Sequence, residues 1–215
     1  MVLLISATPA LAASSSELLE QRLDTWPAWS LPAPLPRPGH KDLIYPAWFA
    51  GSWQATNHDP SGHEPDLDYT VRFNADPEGQ VVGDRAYNAS AIGRALLGPQ
   101  LLEVRNDPRN PNRQLAELAG DQQLESTVVG RRSSQASAGV FLADELALQV
   151  LHGPGDPRVS RVETLSRYRL VEPDRIEAEQ WQVSYGSPAQ GLAAKAQRSW
   201  QGLLVLNRLD QGRPT

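Results

Sequence analysis

The stretch LIYPAWFAGSWQATN, from Leu43 to Asn57, places two Trp, one Phe and one Tyr within fifteen residues around Gly51. Aromatic residues make up only 7% of the 215-residue chain, so they are concentrated here. Phe49, Gly51 and Trp53 fall on one face at the period of two that a β-strand gives its side chains. A glycine between two large aromatic residues lets the strand bend or lets a neighbouring group approach closely. We therefore predict that this stretch opens the first strand of a β-structure.

The chain after Trp53 continues in a β-pattern. The sequence LDYTVRFN (67–74) alternates strictly between apolar and polar residues. The DPEG turn at 76–79 then leads into QVVGDRAYN, which predicts a hairpin. Further strands are predicted at 101–107, 113–119, 122–132, 145–152, 159–172, 175–185 and 198–209, with a short helix at 88–98.

Strands joined mostly by short turns describe an up-and-down meander of about nine or ten strands. An open sheet of that length leaves two unpaired edges, whereas closure into a barrel removes both. We predict an all-β fold: a lipocalin-like antiparallel up-and-down β-barrel over residues 47–210, with one short helix and a proline-rich N-terminal arm.

The N-terminal residues divide into two further segments. MVLLISATPALAASSS has a short apolar run and then ALA at 10–12, a small-x-small pattern typical of signal-peptide cleavage. We interpret residues 1–12 as the remnant of a secretory signal and expect an exported protein; a disordered tail is the alternative. Residues 13–46 predict a short helix followed by the arm, whose prolines keep the backbone extended.

Composition excludes several classes of function. The formal charge of -5 and the pI near 5.4 give no basic surface for nucleic acid or anionic lipid. The chain has no cysteine, which excludes disulfides, thiolate metal sites and cysteine nucleophiles. No stretch approaches the roughly 18 apolar residues of a membrane span, so no transmembrane segment is predicted.

The Gly51-Ser52-Trp53 sequence resembles the Gly-x-Trp signature of the lipocalin and calycin barrels. In those families the tryptophan lies at the closed end of the barrel, covered by an arginine from the last strand. The last predicted strand here ends in LNRL, which contains Arg208. The resemblance implies that Trp53 and Arg208 pair at the base of the barrel, where a cation–π contact is worth roughly 1–2 kcal/mol.

A second resemblance covers residues 43–209. The sequences YPAWFAGSW, VVGDRAYN, DPRNPNRQ and VETLSRYRL are similar to an uncharacterised family of cyanobacterial and plant chloroplast proteins, a domain of unknown function with a YPxWFxGxW motif. No activity comes with this resemblance. It implies a periplasmic or thylakoid-lumen location, which agrees with the pattern at 10–12.

Small-molecule pockets place a few polar groups on apolar walls. If Arg85 faces the interior, it could bind a carboxylate or propionate group; the alternative is an ion pair with Glu103 or Glu117 on neighbouring strands. The predicted ligand-binding residues are Tyr69, Val71, Phe73, Arg85, Tyr87, Tyr168 and Trp181.

The sequence offers little for catalysis or metal binding. His58, His63 and Glu64 share one loop, but their spacing matches no recognised zinc site, and we predict no metal site. Glu177 and Glu179 lie on one strand face, where charged residues are ordinarily solvated. Because Gly-x-Ser-x-Gly and phosphate-binding loops are missing from the sequence, we predict no catalytic residue and leave the cofactor unknown.

Three hypotheses follow. The first is an exported, non-enzymatic, lipocalin-like protein that binds a small apolar or amphipathic ligand, such as a lipid, carotenoid or tetrapyrrole; the photosynthetic resemblance alone suggests the pigments. The alternative is an accessory or assembly protein of a photosynthetic membrane complex, with a filled barrel. A third is a chromophore lyase on a similar barrel, for which Glu125 or Asp84 would have to transfer a proton. The volume inside the barrel separates the first two.

Overall fold

The structure is a computed structural model that describes residues 14–33, 35–191 and 193–209. The predicted cleavage site after Ala12 lies outside these residues. The described elements run in the order α1 (Ser15–Asp24), β1 (Ile44–Tyr45), β2 (Gly51–His58), β3 (Leu67–Ala75), β4 (Val81–Gly83), α2 (Arg85–Leu97), β5 (Leu101–Asp107), β6 (Asn110–Leu118), β7 (Gln122–Ser137), β8 (Val140–His152), β9 (Arg158–Glu172), β10 (Arg175–Tyr185) and β11 (Arg198–Arg208).

All eleven strands form one sheet in the order β1-β4-β3-β2-β11-β10-β9-β8-β7-β6-β5. Every pairing is antiparallel, and β2 pairs with β11, which joins the first long strand to the last as barrel closure requires. The predicted all-β, barrel-like fold class is confirmed. The sheet differs from a fully closed barrel in one place. Within the described chain the two edge strands, β1 and β5, do not pair with each other, so the sheet is a curled half-barrel.

Helix α2 occupies the interval between β4 and β5 and contacts both β3 and β5. The QVVGDRAYN stretch therefore holds a strand that ends at Gly83, not one that runs on through Tyr87. The physical reason is Asp84, a favoured N-cap residue, whose carboxylate accepts a hydrogen bond from the Tyr87 backbone N–H at 3.3 Å. As a result, Arg85 and Tyr87 lie in the first turn of a helix.

The side chain of Asn88 fastens α2 to β3. Its amide oxygen accepts from the Arg72 backbone N–H at 2.7 Å, and its amide nitrogen donates to the Arg72 carbonyl at 3.0 Å. The carbonyl of Arg72 also accepts from the Asp84 backbone N–H at 2.9 Å. These bonds satisfy the edge of β3 beyond the end of the short strand β4, which limits the cost of leaving a sheet edge without a partner strand.

The sheet is covered by apolar packing on both faces. The inner, concave-side core joins the base of the half-barrel and contains Leu43, Phe49, Trp53, Ala55, Val71, Phe73, Val81, Phe141, Ala143, Ile176, Ala178, Leu204 and Leu206. The outer core lies beneath α1 and the proline-rich arm and contains Leu19, Trp29, Leu31, Leu142, Leu165, Trp181, Val183 and Tyr185. The arm is therefore laid over the domain, and its Leu31 N–H donates to the Ala194 carbonyl at 2.7 Å.

Trp53 and Arg208 are in contact at the base of the half-barrel. The Trp53 side chain is fully buried and its Nε1 donates to the Phe49 carbonyl at 2.7 Å. The Arg208 guanidinium carbon lies 4.1 Å from the Trp53 ring centroid, a cation–π distance. The same guanidinium donates to the Ala50 carbonyl at 2.6 Å, so it fastens the start of β2 as well as covering the ring.

Gly51 is required for two reasons. Its φ of +118° lies in the region that side-chain-bearing residues avoid. A Cβ at this position would also lie 2.8 Å from an Arg208 guanidinium nitrogen. The glycine between Phe49 and Trp53 therefore makes room for the arginine that covers the tryptophan.

The remaining aromatic residues of the opening stretch fill the base. The Tyr45 ring lies 4.8 Å from both the Phe49 and Phe73 rings, centroid to centroid, and the Phe49 ring lies 5.1 Å from Tyr168. These pairs are edge-on, a geometry in which the positive edge of one ring meets the negative face of another. The cluster closes one end of the inner face to solvent.

We expect Trp53→Ala to lower the free energy of unfolding by about 3–5 kcal/mol, because it leaves a cavity in the base and removes the ring under Arg208. Urea denaturation measures this loss. Trp200→Ala is the matched control: Trp200 is only half-buried, so its loss should be about 1–2 kcal/mol. A Trp53→Ala protein as stable as wild type would contradict this account of the base.

Candidate ligand-binding trough

A half-open trough of about 330 Å³ lies on the inner face, beyond the aromatic base. Strands β6–β10 supply its wall, and Leu43 before β1, Tyr45 of β1 and Arg85 in the first turn of α2 supply the rest. Its lining, which we call the inner trough, is Leu43, Tyr45, Arg85, Gln114, Ser126, Val128, Ala143, Glu145, Ala147, Gln149, Val162, Thr164, Ser166, Tyr168, Gln180 and Gln182.

Uncharged amide and hydroxyl groups dominate the wall of the inner trough. The Gln182 side-chain amide donates to the Thr164 hydroxyl at 3.0 Å, and the Gln180 amide donates to the Ser166 hydroxyl at 3.1 Å. These pairs hold the side chains in place along β9 and β10. The Gln180 amide oxygen also accepts from the Asn57 amide at 3.4 Å, whereas Gln182 and Thr164 keep further donor and acceptor capacity, so the wall offers preorganised neutral hydrogen-bonding groups.

Gln149 and Ser126 are opposite each other on β8 and β7. Among the described residues, neither side chain makes a hydrogen bond to another protein group, and both line the trough. A ligand or solvent is therefore the natural partner for the Gln149 amide and the Ser126 hydroxyl.

The inner face becomes apolar again towards the rim. A second depression of about 340 Å³ shares Gln149 with the inner trough and is lined by Leu124 and Leu151, with Arg158 beside them. The inner face thus passes from an aromatic base through a polar middle to an apolar rim. That sequence of surfaces suits a molecule with separate polar and apolar parts.

Arg85 enters the trough as part of an ion network. Its guanidinium donates to Asp42 at 2.7 Å and to Glu145 at 2.9 Å. The Arg131 guanidinium donates to the same Glu145 oxygen at 2.6 Å. We call these residues the inner ion network: two guanidiniums and two carboxylates whose charges cancel. The sequence suggested Glu103 or Glu117 as the ion-pair partner of Arg85. The partners are instead Asp42 and Glu145, because the start of α2 faces the segment before β1.

Arg131 and Asn112 extend the network to the backbone. Arg131 also donates to the Lys41 carbonyl at 2.8 Å and to the Asn112 amide oxygen at 2.5 Å. The Asn112 amide nitrogen donates in turn to the carbonyls of Gly39 and Lys41, at 3.1 and 3.0 Å. The segment that leads into β1 is therefore held against β6 and β7 by charged and amide groups.

The network fixes the ionisation of its members. Burial alone would raise the pKa of Glu145, but the Arg85 and Arg131 guanidiniums outweigh it and hold that pKa below its ordinary value. For Arg85, burial lowers the pKa but Glu145 and Asp42 outweigh it, so its pKa is raised. Burial raises the pKa of Tyr45 and Tyr168. At neutral pH the trough therefore holds neutral phenols and a fully paired arginine.

The structure brings two of the predicted ligand-binding residues, Arg85 and Tyr168, into the inner trough. Val71 and Phe73 are on the inner face but lie buried in the core of the base, and Tyr69 is half-buried against that core. These three pack with the aromatic base and do not line the trough.

Tyr87 and Trp181 lie away from the inner face. The Tyr87 hydroxyl shares a hydrogen bond with Thr70 at 2.7 Å, and the Arg72 guanidinium carbon is 4.0 Å from its ring centroid. Thr70 and Arg72 point to the face of β3 opposite Val71, because strand side chains alternate. Trp181 is buried in the outer core beneath the arm, since it alternates with the inward-facing Gln180 and Gln182.

Sequence reasoning missed the glutamine, serine and threonine lining. The signal was present in EQWQV, where Gln180 and Gln182 alternate with Trp181 and Val183. A strand with one apolar and one polar face ordinarily turns its polar face to solvent. Here the apolar face is covered from outside by α1 and the arm, so the polar face is the one that points inward.

The family described as a domain of unknown function, DUF6816, matches residues 60–198. The chain belongs to the DUF6816 family. The expected kinship with an uncharacterised family is thereby confirmed. The DUF6816 match contains the trough lining from Arg85 to Gln182 but neither Trp53 nor Arg208. No curated protein and no solved structure matches the chain.

The histidines of the first loop have local partners. His58 lies 2.5 Å from Asp66, and His63 is 2.8 Å from the Ser61 hydroxyl. Within the described part of this DUF6816 protein, no group of three or more His, Asp or Glu side chains is arranged to hold a metal ion. None of its described helices has the length and apolarity needed to cross a membrane.

We expect Glu145→Gln to lower the free energy of unfolding by about 1–3 kcal/mol at neutral pH, because it leaves Arg85 and Arg131 short of one carboxylate. The pKa of Glu145 is depressed in the folded state, so its contribution is present above the ordinary glutamate pKa of about 4.3 and is lost as pH falls through the folded value. Urea titrations at neutral and acid pH should show the wild-type advantage shrinking in acid.

The matched control is Glu177→Gln, which breaks the exposed ion pair with Arg175, 3.0 Å long. Its cost should stay below about 1 kcal/mol. Equal losses for Glu145→Gln and Glu177→Gln would show that the inner ion network contributes no more than a surface pair.

Proposed function

We propose that the protein is a non-enzymatic binding protein whose inner trough holds a small amphipathic ligand. The observation that carries the proposal is the inner trough itself, an unfilled space of about 330 Å³ lined by uncharged amides and hydroxyls. Ligand pockets range from about 300 to 1,000 Å³, so this volume favours a compact molecule over a long carotenoid. Neighbouring apolar surface at Leu124 and Leu151 would receive its apolar part.

The charge balance of the inner ion network argues for a neutral ligand head. Arg85 already donates to Asp42 and Glu145, so a carboxylate or propionate group would have to displace one of them. Hydroxyl, ester and amide groups meet the Gln149, Thr164 and Gln182 side chains without such an exchange. A neutral lipid or a similar molecule fits these contacts better than a dicarboxylic tetrapyrrole.

The proposed location is the periplasm or the thylakoid lumen. It is supported by the small-x-small pattern at residues 10–12 and by the resemblance to cyanobacterial and chloroplast proteins. A role beside the photosynthetic membranes, as a carrier of a lipid or pigment precursor, agrees with that location.

Native mass spectrometry of the full chain purified from its own host tests the binding function. We expect wild type to carry a non-covalent small-molecule adduct. Ala147→Phe should lose at least about nine-tenths of it, because the new ring fills the trough beside Glu145 and Gln149. Absorption spectra of the same samples report whether the adduct is a pigment.

Ala136→Phe is the matched control, since it adds the same ring at an exposed position of β7 and should keep the adduct. An empty wild-type protein, or an adduct that survives Ala147→Phe, would overturn the proposal. The empty protein would favour the second hypothesis, an accessory protein of a photosynthetic membrane complex.

A further inference from the structure

A second set of buried charged groups lies on the outer face, beneath α1. Asp144 on β8 and Glu163 on β9 are 1% and 0% exposed. Glu163 is opposite Leu146 and Asp144 is opposite Leu165, so the two carboxyls are diagonal neighbours on one face of the sheet. Burying two carboxyl groups side by side is costly unless charge and hydrogen bonds are compensated.

The charge of the Glu163 carboxylate is paired, and both of its oxygens accept hydrogen bonds. The Arg22 guanidinium, from α1, donates to both of its oxygens, at 2.8 and 2.7 Å. The Tyr185 hydroxyl donates to one of those oxygens, and Arg22 also donates to the Tyr185 oxygen at 3.0 Å. This bidentate pair joins α1 to the fully buried charge of the sheet, and a second, more exposed ion pair joins Glu20 of α1 to Arg167 of β9.

Asp144 has no such donor. Within the described chain, neither of its carboxyl oxygens receives a hydrogen bond from another residue. Its acidic neighbour on the same face of the sheet is the buried Glu163 carboxyl, and two ionised carboxylates repel each other and cannot form a hydrogen bond. The pair is satisfied when one proton is shared: protonated Asp144 donates to Glu163, and the cluster of Arg22, Glu163 and Asp144 is then neutral.

The other charged groups around Asp144 do not replace that proton. Arg132 on β7 is opposite Asp144 in register, yet no ion pair joins them. On β9, Arg161 donates through Nε to the Gly186 carbonyl; its Nη2 is buried without a hydrogen-bond partner among the described residues, and no ion pair joins it to Asp144. Arg167 pairs with Glu20 of α1 and Glu179 of β10. On β8 itself, Glu145 points to the inner face, where its negative charge adds to the repulsion.

We propose that α1 and the arm as far as Leu31 form a proton-dependent latch, docked on the outer face only while the Asp144–Glu163 pair holds its proton. Loss of that proton leaves an uncompensated negative charge beneath α1. Water that reached the carboxylates would solvate this charge. Water can enter only if α1 moves away from the sheet, which separates Arg22 from Glu163. Opening exposes the apolar surface of Leu142, Leu165 and Val183, which α1 and the arm now cover.

The direction of the pH dependence follows from linkage. Burial, and then the neighbouring Glu163, raise the pKa of Asp144 well above its ordinary value, against the opposing effect of Arg22. A raised folded pKa means that docking is strongest at acid pH. It weakens as pH rises from the ordinary aspartate value through the raised one. The latch therefore closes in acid and loosens in alkali.

Hydrogen exchange of the full chain tests the latch. The exchange rates are measured at the α1 amides of Leu18–Leu23 and corrected for the intrinsic exchange rate at each pH. Between about pH 5 and about pH 9 the wild-type opening constant should rise by up to about tenfold per pH unit, reaching a plateau above the raised pKa. Asp144→Asn keeps the shape of the side chain but has no ionisable proton, so its opening constant should change by less than about twofold per pH unit. Amides of β10 should stay protected throughout, which separates latch opening from global unfolding.

Glu20→Gln is the matched control, because it removes a partly exposed α1 carboxylate and should leave the wild-type slope intact. A wild-type opening constant that does not change with pH, or an Asp144→Asn protein that keeps the slope, would overturn the proposal. Infrared spectroscopy gives a second measurement that needs no variant to fold. With ¹³C-aspartate labelling, a shifted protonated-acid band at neutral pH is expected, and its absence would also overturn the latch.

Discussion

The inner ion network is the interaction on which the arrangement of the inner face depends. Arg85 begins α2, Asp42 precedes β1, Glu145 is on β8 and Arg131 is on β7, and the four side chains meet at one point. The edge strands β1 and β5 do not pair within the described chain, so hydrogen bonds of the sheet alone do not join the two sides of that opening. The network spans the opening with paired charges and leaves unfilled space beside it. A hydrophobic plug in the same place would have filled the trough.

The second constraint is that both faces of β8–β10 are covered. Trp181 and Val183 pack beneath α1 and the arm, while Gln180 and Gln182 line the trough on the opposite face. The polarity of the sheet is thus inverted in this region relative to a simple barrel: its apolar side faces outward. The N-terminal segment therefore covers the apolar outer face of these strands, which leaves their polar face to line the trough.

Much of the fold could be predicted because its signals are local. Strict alternation in LDYTVRFN, turn residues at 76–79, and the position of Gly51 between Phe49 and Trp53 all depend on near neighbours in the chain. Asp84 shows where local signals compete. The residues VVGDRAY read equally well as an alternating strand, and the N-cap contact that ends the strand is evident only once the helix is seen.

The residues that line the candidate site, and their contacts, could not be predicted as well as the fold. Arg85 is separated from its partners by 43 and 60 positions, so the contacts depend on how the sheet curls, not on spacing. Trp181 shows the same limit: alternation divides a strand into two faces but does not say which face is inside when both are covered. Gln149 and Ser126 look like surface residues until the register of β7 and β8 brings them together at the trough.

The proposed binding function requires a ligand in the trough, beside the inner ion network. A crystal structure of the full chain purified from its own host tests it most directly. We expect connected, non-protein density against Gln149, Thr164 and Gln182, with Arg85 still bonded to Asp42 and Glu145. A trough collapsed onto its own side chains, or one that holds only ordered water, would contradict it.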